Sequence, residues 1–250
     1  LSQQMDLSWL VALDLLVLAA KAPNLKFIYA CDYSGAVDAI VSHGIKNTAD
    51  LKGKKIARED IPYEVVFTNK YLASVGLSDT DVQVVSLAVP DAHAAFIAGK
   101  VDAATIYEPF IGKALKGRPG SQVLYTAKNS NTIANGLAAD SSILKTRRED
   151  VLAYLRAIGK GMAFAKANPQ EANEIVAKWV GATPAEVTEQ IAQVRLLDIA
   201  TNKSIVFDEK NPLNVINSID SAAPILMKAG KISKVLAGKD LVDDSFVKAL

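Results

Sequence analysis

Cysteine and histidine are nearly missing from this chain. Cys31 is the only cysteine in 250 residues, so no disulfide framework can form and no CxxC pair exists for zinc or redox chemistry. The two histidines, His43 and His93, are too few for a histidine-based metal site. An excess of one charge sign is missing as well. The net charge is +1 and the charges alternate without a basic block, which removes the electrostatic footprint of a nucleic-acid or anionic-membrane binder. No apolar run can cross a bilayer. The most apolar stretch, WLVALDLLVLAA at 9–20, is short and carries Asp14, and it reads as a buried helix. Nothing basic precedes a hydrophobic run at the start, and Leu1 stands where Met would, so the chain reads as a processed or truncated product with any signal peptide removed. The phosphate loop GxxxxGKS/T and the nucleophile elbow GxSxG are both absent. No catalytic residue, cofactor or metal is therefore expected.

What is present is an ordinary globular composition, half apolar and 22% charged, with strands alternating with helices. LKFIYAC (25–31) is a strand, bounded by Pro23-Asn24 and Ser34-Gly35. Residues 34–42 read as a short helix with Val37, Ile40 and Val41 on one face. A turn at Gly53 leads into a strand at 51–57, and a helix at 63–75 closes at Gly76. VQVVSL (82–87) is a strand, and Pro90-Asp91 opens a helix with Asp91 as its N-cap. Strands follow at 101–107, 122–127 and 133–139, with Pro109 in the first turn of a further helix. Beyond Asp140 the pattern is almost entirely helical, at 149–167, from Pro169 to Gly181, from Pro184, and at 212–228 with a bend at Pro224. The overall expectation is an α/β protein with a helical C-terminal portion.

Three segments in order, DYSGAVDAIV (32–41), DLKGKKIA (50–57) and GLSDTDVQVVSL through DAHAAFIAGKVDAATIYEP (76–109), resemble the solute-binding proteins of nitrate, sulfonate and taurine ABC importers. KANPQEANEIVAKWVG (166–181) and LDIATN (197–202) are similar to the same group, and the resemblance covers essentially the whole chain. It implies the two-lobed type II periplasmic-binding fold, with two strands crossing near 29–32 and 135–140. One lobe is then 1–31 with 137–250 and the other 32–136, and relative to the family one N-terminal strand-helix unit is missing from the first. The resemblance further implies an extracytoplasmic monomer, free or lipid-anchored, that delivers a small molecule to a permease and its ATPase. Thiamine-pyrimidine synthase-like enzymes are related, but they rely on a cysteine cluster and an active-site histidine. A regulatory effector domain would carry a helix-turn-helix, and none is visible.

Ligands of open α/β sheets bind at the carboxyl ends of strands beside helix N-termini. Here those loops carry Asp32, Tyr33, Ser34 and Gly35, then Glu59, Asp60, Tyr63 and Glu64, then Asp91, then Tyr107 and Glu108. Glu108 is favoured because Pro109 fixes it at a strand-to-helix turn. Trp9 could face the cleft from a strand end, or be a core tryptophan. Asp91 reads first as a helix cap, Ser34-Gly35 as a cap with ligand contact second, and Tyr33 as a stacking partner or a hinge shield. Cys31 reads as a small buried hydrophobe. Only Arg58 opposes the acids of 59–64. Carboxylates beside aromatic faces suit a cation or the ammonium end of a zwitterion, so the residues point to a small nitrogen compound. An anionic sulfonate or nitrate is the alternative that the family implies.

Overall fold

The computed structural model of the chain describes residues 5–128 and 130–250. Strand β1 (Leu7–Val11), helix α1 (Asp14–Leu18) and strand β2 (Leu25–Tyr33) come first. The chain then builds β3 (Gly35–His43), β4 (Lys55–Arg58), α2 (Pro62–Ser74), β5 (Gln83–Ser86), α3 (Val89–Ile97), β6 (Ala103–Tyr107), α4 (Phe110–Gly117) and β7 (Ser121–Ala127). It returns through β8 (Ala134–Asp140) to the helices α5 (Ser141–Thr146), α6 (Arg148–Ala167), α7 (Pro169–Val180) and α8 (Pro184–Ile191). A short strand β9 (Arg195–Leu196), α9 (Ile199–Thr201), α10 (Val215–Lys228) and α11 (Ser245–Lys248) complete it.

The strands form two sheets. The first has the order β1-β8-β2-β9 and is antiparallel throughout. The second has the order β5-β4-β6-β3-β7, in which β4 runs parallel to β5 and β6 while β3 is antiparallel to β6 and β7. The chain passes from the first sheet to the second between Tyr33 and Gly35, and back between Ala127 and Ala134. These are the crossings of the two-lobed fold.

The second sheet explains a misreading of the sequence. Residues 34–42 are a strand, not a helix. Ala39 and Val41 pack under α3 and α4 with Phe96 and Ile106, while Ile40 between them packs under α2 with Phe67 and Leu72. A strand buried on both faces has no polar alternation, and a short apolar run of that kind cannot be told from a helix by periodicity. The expected helix at 9–20 is likewise divided. Its first part is β1, and only Asp14–Leu18 is helical, with Leu15 and Leu16 buried against Phe27 and Ile28. Asp91 is not an N-cap, because α3 starts at Val89 behind Ala88 and Pro90 is accommodated within its first turn. The last long helix starts at Val215 rather than at 212, capped by Asn214, whose side chain accepts from the Asn217 amide at 2.7 Å.

The helical tail closes the outer edge of β2. β9 pairs with β2 only at Asp32 and Tyr33. Beyond it, Asn202 takes over, fully buried. Its Oδ1 accepts from the Ala30 amide at 2.9 Å, and its Nδ2 donates to the carbonyls of Ala30 at 2.8 Å and Asp198 at 2.9 Å. One side chain thus stands in for a strand at an edge that would otherwise hold unpaired backbone groups. Further along, the Asp243 amide donates to the Phe27 carbonyl at 2.9 Å.

Asn202→Ala would orphan both backbone groups of Ala30 in a dry environment. Each such group costs roughly 1–3 kcal/mol, so the substitution is expected to lower stability by about 2–6 kcal/mol. Urea titration should show a lower midpoint with an unchanged slope, whereas an unchanged midpoint would mean that water replaces the amide.

Candidate functional site

Because β4 and β6 are parallel, both end at the same edge of their sheet, at Arg58 and Tyr107. β3 runs the other way and begins at that edge, with Asp38 opposite Tyr107. Helices α2, α3 and α4 each start just after β4, β5 and β6, so their N-termini gather there too. This is the edge at which α/β sheets hold ligands, and the two crossings lie beside it.

Carboxyls and phenols collect at this edge. Glu64 is 1% exposed, and its Oε2 accepts from the Glu59 amide at 2.6 Å. Burial pushes Glu64 up to about 8, and the neighbouring charges of Glu59 and Asp38 push in the same direction. Burial lifts Asp38 to about 6, although the Ser34 hydroxyl donates to it. Tyr63 is raised by burial and by Glu64, Asp38 and Glu59, and Tyr107 is raised by burial and by the same acids. Glu59 Oε1 lies 3.4 Å from the Val89 amide at the start of α3. Arg58, the cation expected to oppose these acids, instead donates to Asp79 at 3.1 Å and is buried beside it. Arg58 still draws Glu64 down by its charge, but burial and the neighbouring acids outweigh it.

The crossing is a hydrogen-bonded knot. Asp32 accepts from Asn135 Nδ2 at 2.7 Å and from the Cys31 thiol at 3.0 Å. Burial raises Asp32 and holds the Cys31 thiol well above its ordinary range, so the sulfur stays protonated and donates. The buried Tyr33 hydroxyl donates to the Leu213 carbonyl at 2.5 Å, and the Arg195 guanidinium stands 5.7 Å from its ring centre. Gly35 has a φ of +67°, and a Cβ there would lie 2.0 Å from the Gln193 carbonyl oxygen, to which the Ala36 amide donates at 2.8 Å.

The candidate residues therefore separate. Tyr63, Glu64 and Ser34 converge on Asp38, and Asp32, Tyr33 and Gly35 build the crossing. The Glu108 carboxylate folds onto its own helix, accepting from the Gly112 amide at 3.2 Å. Asp60 forms an ion pair with Lys231. Asp91 is exposed in the first turn of α3, and Trp9 is 48% exposed on β1 at the rim of the first sheet. Glu59 and Tyr107 lie in the loops that the sequence pointed to, whereas Asp38 was not singled out from it. An acid inside the apolar run AVDAIV was the available signal for Asp38, hidden by the helical reading of that segment. Among the described residues no group of three or more His, Cys, Asp or Glu could hold a metal ion, and no helix is long and apolar enough to cross a membrane.

Two α/β lobes joined by paired crossing strands define the type II periplasmic-binding fold. The chain belongs to the NMT1/THI5-like family, whose model matches residues 4–172. A protein of Brucella abortus (strain 2308) named as a binding protein is 27% identical over 223 residues, covering 85% of this chain and 67% of that protein. A protein of Bacillus subtilis (strain 168) named for binding aliphatic sulfonates is 24% identical over 206 residues, 82% of this chain and 59% of that one. In structure the chain is similar to the periplasmic aliphatic sulphonate binding protein SsuA from Escherichia coli, with a TM-score of 0.76 at 19% identity over 97% of this chain and 76% of that one. The desulfurization enzyme DSZB shares the fold at a TM-score of 0.64 and 12% identity, over 97% of this chain and 84% of that one. None of these similarities points to a cationic ligand.

Glu64 ionises near 4.5 when unfolded and near 8 when folded, so folding retains its proton throughout that window. The stability it lends is complete below pH 4.5 and is lost as pH rises toward 8. Glu64→Gln stays neutral, so its stability relative to the parent should grow from pH 5 to pH 8, reaching ~3 kcal/mol. Denaturation midpoints of both proteins across that range would test this. A constant difference would show that the carboxyl is already ionised at pH 5.

Proposed function

We propose that the chain is the solute-binding subunit of an ABC importer, working outside the cytoplasm, and that its ligand carries a cationic nitrogen, as a cation or within a zwitterion. Its lobes would be 1–31 with 137–250 and 32–136, closing on the ligand at the edge where Asp38, Glu64, Tyr63 and Tyr107 meet. The observation that carries the ligand class is the burial of Glu64 beside Glu59 and Asp38, opposed only by Arg58, which is itself paired with Asp79. A ligand cation would relieve the repulsion among these acids and stack on the phenol faces. Ligand touching both lobes stabilises the closed form, which a permease would recognise, and the energy for transport would come from a partner ATPase.

A second reading rests on the relatives. Those of Bacillus subtilis and Escherichia coli are named for aliphatic sulfonates, so an anionic ligand at the helix N-termini is the competing proposal. An enzyme on this fold is disfavoured by Cys31, the only thiol, which donates to Asp32 and is kept from forming a thiolate.

Thermal unfolding against guanidine, an amidine, choline, an aminopyrimidine, taurine, nitrate and an alkanesulfonate separates the readings. A ligand at 100 times its Kd adds about 2.7 kcal/mol to the folded state and raises the melting temperature. The expected result is a shift with a nitrogen cation or zwitterion that Glu64→Gln abolishes. A shift with nitrate or the alkanesulfonate alone would keep the importer assignment and overturn the cationic site.

A further inference from the structure

α2 belongs by position to the second sheet, between β4 and β5, but it packs into both cores. Phe67, Tyr71 and Leu72 are buried with Ile40 and Ile56 of the second sheet. Val65 and Val66, immediately before Phe67, are fully buried in the core of the first sheet, with Leu13, Ile219 and Ala223. Tyr63 touches both cores. In the opposite direction, Val11 of β1 packs against the second sheet's core. α2 and α10 lie in contact, and at the near end of that contact Lys231, just beyond α10, forms an ion pair with Asp60, just before α2.

We propose that residues 60–66 form a closure latch between the lobes, in which Val65 and Val66 supply an apolar seat and Asp60–Lys231 supplies the lock. The inference rests on the two-lobed architecture and not on the ligand class. Its consequence is that the ligand-contacting side chains and the lobe-to-lobe contact lie on one seven-residue stretch. Ligand held by Tyr63 and Glu64 would pull directly on the element that joins the lobes. Val65 and Val66 would lose their burial whenever the lobes separate, so the apolar seat favours closure and the ion pair sets its register. Opposite charges there attract weakly because water screens them, but reversing one turns attraction into repulsion.

The experiment measures the distance between spin labels at Lys100→Cys and Glu174→Cys, one on each lobe, in ligand-free protein carrying Cys31→Ser. Lys231→Asp and Asp60→Lys should each raise the long-distance population about five-fold, and the double reversal should return it to the starting value. Salt at 1 M should move the unreversed protein in the same direction as the single reversals. Unchanged distances in both single reversals would overturn the latch. A double reversal as open as the singles would overturn it too, by showing that the pair does not act as a pair. Loss of ligand-dependent shifts elsewhere would leave these distances untouched, so failure of the latch and failure of the cationic site are read separately.

Discussion

The pairing of β2 with β8 is the constraint on which the rest of the molecule depends. These two strands are the interior of the first sheet; β2 leads into one crossing and β8 receives the chain from the other. Their register sets Asp32 opposite Asn135, and the hydrogen bond between those side chains ties the two crossings together. Gly136 shows how close the fit is. A Cβ there would lie 2.1 Å from the Tyr29 carbonyl oxygen and 2.3 Å from the ring of Phe27. Everything beyond the crossings is positioned by this pair, including the start of β3 that delivers Ser34 and Asp38 to the site.

The site itself combines a structural cost with a functional opening. Helix N-termini welcome acids, which explains an acid near the start of α2, but it does not explain burying Glu64 against Glu59 and Asp38. Like charges in a dry site hold protons unless something neutralises them. The same stretch of chain reaches into the other lobe through Val65 and Val66, so occupancy and lobe contact share one element.

Much of the architecture was legible in the sequence because strong local signals agreed with the tertiary outcome. Pro62, Pro169 and Pro184 lie in the first turns of their helices, and Gly76 and Gly181 have positive φ just beyond theirs. The change to helices after Asp140 was equally plain. The failures have one physical origin. At 34–42 the apolar residues are buried on both faces of the strand, and at 9–20 one apolar run is divided between an edge strand and a short helix, so in both places local pattern cannot tell strand from helix.

The sequence by itself determined the two-lobed α/β class, through its strand-helix alternation and collinear family segments, and its single thiol excludes a disulfide within the chain. It also placed the acids of 59–64 at a helix start. Which acids face one another, and which are engaged elsewhere, was decided only by tertiary structure. Asp38 joins Glu64 because antiparallel β3 begins where parallel β4 and β6 end, while Arg58, adjacent in sequence, turns to Asp79. Asp60, four residues from Glu64, faces Lys231 across the lobes. Neighbours along a chain share composition, but the direction a side chain takes depends on the sheet pairing and helix packing that surround it, and those are long-range.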